Sequence, residues 1–509
     1  VNSRPRAALA GLAGGAVAIA TAEFVSALTD SLSPLDAVGA VVIDASPAGA
    51  REAVIDWFGT GDKAFLRVMT LVVLGLAAAG LGLRARTRRT SLVAGFVAFG
   101  VAGAFAVVDR PGPAAGSLVA IAVGAAAGAR LSLSLLPRAL PGVVTEMPHE
   151  SLAPLDGDRR QFIVFAGAIG GAVVLGGLSA AMRRRREVAA VDDAAWQLPE
   201  PTDVDEWGPI PDSAEIHPSA PFVTPADDFY RIDTALSLPR TTLDRWRLRV
   251  DGLVSSPLEL SYTDLLAMPQ VEKVITLCCV SNEVGGRYVG NAVWRGVPLT
   301  DVLALAGVDD GAEQIFSTSL DGWTCGFPVD AALDGRDALI ALGMNGELLP
   351  LEHGFPARLV VPGLYGYVSA TKWLERIELA TWGREGYWVP RGWARLAPVK
   401  TQSRIDVPRR GEQIAAGRQA VAGVAWAQHR GIQRVEVSID GDEWQEARLG
   451  ADVSVDAWRQ WVVEWDATPG EHEIRVRATD GEGETQPEER TPVAPDGATG
   501  WHTVRVVVV

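Results

Sequence analysis

Two segments hold the side chains best suited to chemistry. Thr276-Leu277-Cys278-Cys279-Val280-Ser281-Asn282-Glu283-Val284-Gly285-Gly286 is a β-branched run that ends in two thiols and then a polar, Gly-rich turn. A strand of that kind delivers a soft sulfur ligand into a pocket. Further on, His353-Gly354-Phe355-Pro356-Ala357-Arg358-Leu359-Val360-Val361 sets a histidine and an arginine ahead of an apolar strand. The first segment can hold a metal and the second an anion. Zinc would want three or four Cys/His ligands at short spacing, and the chain has three cysteines in all. One sulfur is enough only where a cofactor brings the remaining ligands.

Together with Gly290-Asn291-Ala292-Val293-Trp294-Arg295-Gly296-Val297-Pro298-Leu299 and Tyr365-Gly366-Tyr367-Val368-Ser369-Ala370-Thr371-Lys372-Trp373-Leu374, these segments resemble the sulfite-oxidase family of molybdopterin enzymes. Taken singly, a buried Cys is more often structural and a lone His or Lys a capping or solvated group; their co-occurrence in order favours the cofactor reading. The resemblance implies that Cys279 is the thiolate ligand to molybdenum, beside the dithiolene of a pyranopterin, because the family motif Cys-x-x-Asn falls on Cys279 and Asn282. Cys278 falls one residue too early. The family's His-Gly-x-Pro-x-Arg falls on His353 and Arg358, and its Lys-Trp on Lys372-Trp373, next to Thr371. The resemblance makes these the groups that hold the pterin and its phosphate, a dianion that suits a guanidinium and an ammonium. Asp321 and Arg231, the latter in Phe229-Tyr230-Arg231, lie where the family has further cofactor contacts.

The implied reaction is a two-electron oxygen-atom transfer on a small-molecule substrate. Sulfite-oxidising members place an arginine shortly after the asparagine, whereas Asn282 here is followed by Glu283-Val284-Gly285-Gly286 and only then Arg287. An acidic residue beside an oxyanion costs affinity at close range. Sulfite oxidation and reduction of a neutral acceptor such as a sulfoxide therefore both stay open. The contrasting reading is a non-catalytic envelope protein with a degenerate cofactor domain.

From Gly423 onward, apolar and polar residues alternate through Val435-Glu436-Val437-Ser438-Ile439, Trp461-Val462-Val463-Glu464-Trp465 and Glu473-Ile474-Arg475-Val476-Arg477, with Asp440-Gly441 as a hairpin turn. This region resembles the family's immunoglobulin-like dimerisation domain, a resemblance that implies a homodimer; patterning alone does not exclude a generic β-sandwich adhesion module.

The first 185 residues resemble nothing in the soluble members of the family. Five apolar stretches, about Ala7 to Leu28, Phe65 to Leu83, Leu92 to Val108, Ala114 to Leu136 and Phe162 to Met182, are each long enough or nearly so for a hydrocarbon core about 30 Å thick. Their Gly and Ala content predicts close, backbone-to-backbone packing. Leu32 to Phe58 is less apolar and fits an external loop with a short amphipathic helix, or a re-entrant segment. Arg4, Arg6, Arg84, Arg86, Arg88, Arg89, Arg138, Arg159 and Arg160 favour the cytoplasmic side, which puts the first residues inside and the C-terminal two-thirds outside. Arg183 to Arg186 conflict with that orientation. Arg159-Arg160 ahead of the fifth stretch reads as a twin-arginine export signal, or simply as a cytoplasmic helix end.

The net charge of −16 disfavours nucleic acid as a partner. Residues 186–225 are a Pro-rich acidic linker or strap. With Cys279 assigned, Cys278 and Cys325 remain, and a bridge between them stays open. All six histidines lie outside the apolar stretches, and there is no Cys-x-x-Cys-His, so no haem is expected. Electrons then pass to an external carrier, cytochrome or quinone-linked. The expected architecture is a five-helix transmembrane domain (1–185), the linker, an α+β molybdopterin domain (226–390) and an immunoglobulin-like β-sandwich (391–509), anchored in the lipid bilayer of the cell membrane.

Overall fold

A computed structural model describes residues 3–46, 57, 62–110, 114–136, 156–191, 197–202, 209–218, 220–239 and 241–509. The chain forms two compact units, Val1–Ala190 with Thr234–Pro239, and Val191–Asp233 with Arg240–Val509.

The first unit contains α1 (Ser3–Leu28), α2 (Pro34–Ala45), α3 (Asp62–Arg84), α4 (Arg89–Val108), α5 (Ala114–Leu135) and α6 (Asp156–Val191). Among the described residues, five helices are long and apolar enough to cross a membrane, all of these but α2, and they coincide with the five apolar stretches of the sequence. Their packing is as close as the glycines imply. A Cβ on Gly11 would stand 2.0 Å from Ala78 O, and one on Gly14 2.6 Å from Gly128 O, so α1 approaches the backbones of α3 and α5 directly. The segment after α1 becomes α2, which starts on Ser33: its hydroxyl accepts the Asp36 N–H, and Pro34 occupies the first turn. Residues 47–56 of that segment, Arg138, and parts of the linker (192–196, 203–208 and 219) lie outside the described residues, as do the side chains of Arg159, Arg160 and Arg186.

Three arginines of this unit are paired with carboxylates. Arg67 Nε donates to Asp36 Oδ1 at 2.9 Å, and Arg110 pairs with Asp44. Arg183 lies 3.7 Å from Glu23 and donates to Ser26 Oγ at 2.6 Å. Glu23 also accepts from Ser33 Oγ at 2.9 Å and from the Leu35 N–H at 3.0 Å.

The second unit opens with β1 (Arg247–Gly252), β2 (Leu258–Ser261), β3 (Val271–Cys278), β4 (Val289–Pro298), β5 (Gln314–Ser319), β6 (Thr324–Pro328), β7 (Leu339–Met344), β8 (Glu347–Leu348), β9 (Arg358–Val360) and β10 (Leu374–Ala380). They form two mixed or antiparallel sheets of order β2-β1-β10-β5-β6 and β3-β4-β7-β8, the latter with β9 on β7. This order leaves β3 as an edge strand, and its last residue is Cys278.

The C-terminal region is all β: β11 (Gln402–Val407), β12 (Gln413–Ile414), β13 (Gly417–Trp426), β14 (Ile432–Ile439), β15 (Gln445–Glu446), β16 (Arg448–Leu449), β17 (Arg459–Ala467), β18 (Gly470–Asp480) and β19 (His502–Val508). Two sheets, β11-β13-β17-β16 and β12-β19-β18-β14-β15, share one core of Val421, Trp461, Trp465, Val435, Val476 and Val504. Asp440 and Gly441, at φ 53° and 83°, make the expected turn after β14.

Candidate active site

The chain leaves β3 and turns back into β4 through residues 279–288, and hydrogen bonds inside this turn fix it. The Cys279 N–H donates to Tyr288 O at 2.9 Å, and the Asn282 N–H to Cys279 O at 3.0 Å. Asn282 Oδ1 accepts the Tyr288 N–H at 2.7 Å, so the Asn282 side chain stitches the turn rather than reaching out of it. The two neighbouring sulfurs have different surroundings. Cys278 lies beside Trp426 and Arg404 of the C-terminal sheets, whereas Cys279 has Ser281 as its close polar neighbour. Burial pushes Cys279 up to about 11, so the thiol keeps its proton until a cation draws it off.

Arg358 opens β9 and is 5% exposed. Its Nη1 donates to His353 O at 3.0 Å, and its guanidinium lies 4.9 Å from the centre of a Trp294 ring. It has no carboxylate partner among the described residues, and burial pulls it down to about 10. His353 is buried too; its Nε2–H donates to Ala226 O at 2.8 Å, and desolvation pulls it down to about 4, so it stays neutral. Phe229 sets its edge against His353 and Trp294, at 5.6 and 5.7 Å between ring centres, and stacks on Tyr230 at 5.2 Å. Burial raises the Tyr230 phenol well above its ordinary value; the Cys279 and Cys278 sulfurs add to the rise and Arg358 opposes it. Tyr230 thus stands within electrostatic reach of both the sulfur and the guanidinium.

Gly354 links this group to a second one. Its φ is 116°, and a Cβ there would stand 3.0 Å from Arg358 Cβ and 3.1 Å from Lys372 Cα, which explains why the position needs glycine. Lys372 Nζ donates to Asp233 Oδ2 at 2.8 Å and to Glu352 O at 3.1 Å, and it lies over the Trp373 ring. Arg231 Nε reaches the same Asp233 oxygen at 3.1 Å. Asp321 accepts the Trp323 N–H at 3.0 Å; burial raises it, with Asp233 adding and Lys372 opposing, so it belongs to this group. Thr371 Oγ1 is hydrogen-bonded with Ser317 Oγ at 2.7 Å and Cys325 Sγ at 3.1 Å.

The structure therefore gathers Cys279 and Arg358 around Tyr230, with His353 beside Phe229 and Arg358, and Arg231, Lys372 and Asp321 around Asp233. Asn282 and Thr371 are engaged within their own neighbourhoods. All three cysteines are free thiols, which removes the Cys278–Cys325 bridge. The sequence reading took Phe229 and Tyr230 only as the flank of Arg231 and Trp294 only as part of a motif, and it passed over Asp233, two residues beyond Arg231. Among the described residues no three His, Cys, Asp or Glu side chains converge on a metal position. A single buried sulfur near a buried cation with no anion of its own fits an anionic cofactor that brings the remaining metal ligands.

Residues 235–388 match the family described as oxidoreductase molybdopterin binding domain, and residues 395–508 the Mo-co oxidoreductase dimerisation domain. The chain is 30% identical to the mitochondrial sulfite oxidase of Homo sapiens over 56% of its own length and 62% of that protein. With the sulfite oxidase of Gallus gallus it shares 30% identity over 55% of this chain and 72% of the relative. With the uncharacterized oxidoreductase YuiH of Bacillus subtilis it shares 34% over 37% of this chain and 88% of the relative. The chain thus spans about three fifths of the mammalian enzyme, 62% of its length. Two family matches in the expected order, the first spanning the cysteine turn and the Arg358 strand, agree with the geometry: the chain belongs to the sulfite-oxidase family of molybdopterin oxidoreductases.

Proposed function

We propose that the protein is a membrane-anchored molybdopterin-dependent enzyme that transfers an oxygen atom, with two electrons, to or from a small substrate. Arg358 carries this reading: burying a guanidinium with no carboxylate costs several kcal/mol, and an anionic cofactor removes that cost. Cys279 would ligate molybdenum, and Arg358, Lys372, His353, Arg231, Asp321, Asn282 and Thr371 would hold or position the pterin and its phosphate. The bound cofactor supplies the two-electron oxygen-atom chemistry. The chain's own residues set its surroundings. Tyr230, Phe229 and Trp294 form an aromatic wall that limits water, neutral His353 keeps its Nε2 proton on Ala226 O, and Cys279 loses its proton on ligation.

The substrate is a small oxyanion such as sulfite, in line with the names of the relatives, or a neutral oxo-acceptor. The second reading rests on Glu283, which is exposed directly after Asn282. The five apolar helices are read as the bilayer anchor, with the catalytic unit on the extracytoplasmic side after twin-arginine export. The two C-terminal sheets are read as an immunoglobulin-like dimerisation module, and the domain limits as 1–185, 186–225, 226–390 and 391–509. An external cytochrome or quinone-linked carrier takes up or supplies electrons.

Metal and pterin analysis of protein purified from a host that makes the cofactor tests the central claim. About one molybdenum per chain is expected. Cys279→Ser should keep the fold and lose redox activity, and Cys278→Ser should be mild; metal-free wild-type protein would refute the reading. For topology, Arg159 and Arg160 changed to Lys keep both charges but remove the export signature. A reporter fused after Val509 should then stay cytoplasmic, and unchanged external exposure would exclude that route.

A further inference from the structure

The two sides of Cys279 are held by residues that lie far away in the sequence. Upstream, Thr276 is 1% exposed and sits on the open edge of β3. Its N–H donates to Asp456 O at 2.9 Å, and its O accepts from Gln428 Nε2 at 2.8 Å. Its hydroxyl accepts the Trp458 N–H at 2.7 Å and donates to Asn291 Oδ1 at 2.9 Å. A bare strand edge would otherwise present unpaired backbone groups. Here the C-terminal sheets and their loops occupy that edge two residues before Cys278.

Downstream, the turn is gripped again. Arg404 Nη1 donates to Gly286 O at 3.0 Å, and Arg490 Nη2 lies 3.4 Å from Val284 O. Gly285, at φ 80°, lies so close to His502 that a Cβ would be 2.3 Å from the imidazole. Arg404 is itself aimed by Asp406, at 2.7 Å between Nε and Oδ1. His502 Nδ1 accepts the Ile405 N–H at 2.9 Å. Burial, with Arg404, Arg490 and Arg410 nearby, pulls His502 down to about 4, so Nδ1 remains an acceptor.

We propose that Arg404, Arg490 and His502, with Gln428 and the backbone of Asp456 and Trp458, are positioning residues that hold the Cys279 turn in its ligating shape before any cofactor binds. The inference rests on Cys279 as the ligand and gives the C-terminal sheets a role besides assembly. Deleting them would strip the grip from both sides of the cysteine, so cofactor content should fall along with dimerisation.

Hydrogen–deuterium exchange of the full chain, purified with and without cofactor, tests the grip. In the double variant Arg404→Ala/Arg490→Ala, the amides of Asn282, Gly286 and Tyr288 should exchange about tenfold faster or more in the cofactor-free protein, the effect of losing about 1.4 kcal/mol of local protection. The β10 amides should be unchanged, and lysine at both positions should restore part of the protection. Wild-type exchange in the turn would overturn the proposal. If fast β10 exchange shows that the double variant has unfolded, Gly285→Ala reads the same turn through its clash with His502, and unaltered exchange there has the same force. Molybdenum-free wild-type protein would sink the ligand reading without changing these rates, so the two failures are distinguishable.

Discussion

The arginines of the helical unit and Arg358 of the catalytic unit follow opposite rules. Arg67, Arg110 and Arg183 each face a carboxylate of their own unit, Asp36, Asp44 and Glu23. Arg358 is more deeply buried than any of them, at 5% exposed, and faces carbonyls and an indole instead. The helical pairs are compensated within the chain; Arg358 carries an uncompensated burial cost that, on the proposed reading, the anionic cofactor removes. Lys372 is intermediate, because Asp233 balances it in the protein alone while Arg231 shares the same carboxylate.

The largest effect should come at the unmatched charge. Arg358→Met should lower cofactor content more than about thirtyfold, since truncating one side of a buried charge contact costs roughly 2–5 kcal/mol. The same change should make cofactor-free protein more stable, by about 1–3 kcal/mol. Calorimetry of both forms checks this, and a variant destabilised without cofactor would break the contrast with the helical arginines.

Asp456 comes next. Burial pushes it up to about 6, with Asp337 and Asp334 adding and the His429 N–H and Arg336 opposing. The folded value lies above the ordinary carboxylate value, so the stability linked to this proton is complete below about pH 4 and is lost as pH rises to 6. Asp456→Asn should therefore be more stable than wild type at pH 7, by about 2–3 kcal/mol, and the gap should close toward pH 4. His353 acts in the opposite direction. Pulled down to about 4, it contributes stability above about pH 6.5 that is lost as pH falls through its folded value. The wild-type profile mixes the two, so the comparison has to be made between variants in denaturant melts across the range.

Lys372→Ala should lower cofactor content less than Arg358→Met. It should also destabilise the cofactor-free protein by about 2 kcal/mol, because the buried Asp233 carboxylate loses the ammonium 2.8 Å from it. An increase in stability would place Lys372 with Arg358 rather than between the two classes. The smallest change is expected at the partly exposed pair in the helical unit, where Asp44→Asn should move thermal unfolding in detergent by no more than about 0.5–1 kcal/mol.

The segments that carry Cys279, Arg358 and Lys372 stood out in the sequence because each is short and its neighbours must keep their order, and the structure places Cys279 and Arg358 within reach of one phenol. The five apolar helices and the Asp440-Gly441 turn were legible because periodicity and turn chemistry are local. Tyr230 and Asp233 were not, since a phenol beside a sulfur and a carboxylate shared by two cations come from tertiary packing. Nothing in Thr276 hinted at Gln428, Asp456 or Trp458, whose contacts close only after the C-terminal sheets fold against β3. The arginines at the end of the fifth apolar stretch were hard to place for the same reason, because the partner of Arg183 is on the first helix.

That last contact bears on the order of assembly. If α1 and α6 both cross a bilayer, as proposed, Glu23 enters it long before its counter-ion has been synthesised, for Arg183 lies 160 positions further along the chain. Until then the carboxylate depends on neighbours that emerge soon after it, Ser33 and the Leu35 N–H, 10 and 12 residues away. The α1–α2 corner is a temporary shelter for the acid, and α6 is the closing piece. A chain stalled before α6 would therefore present the quality-control machinery with an acid still waiting for its cation.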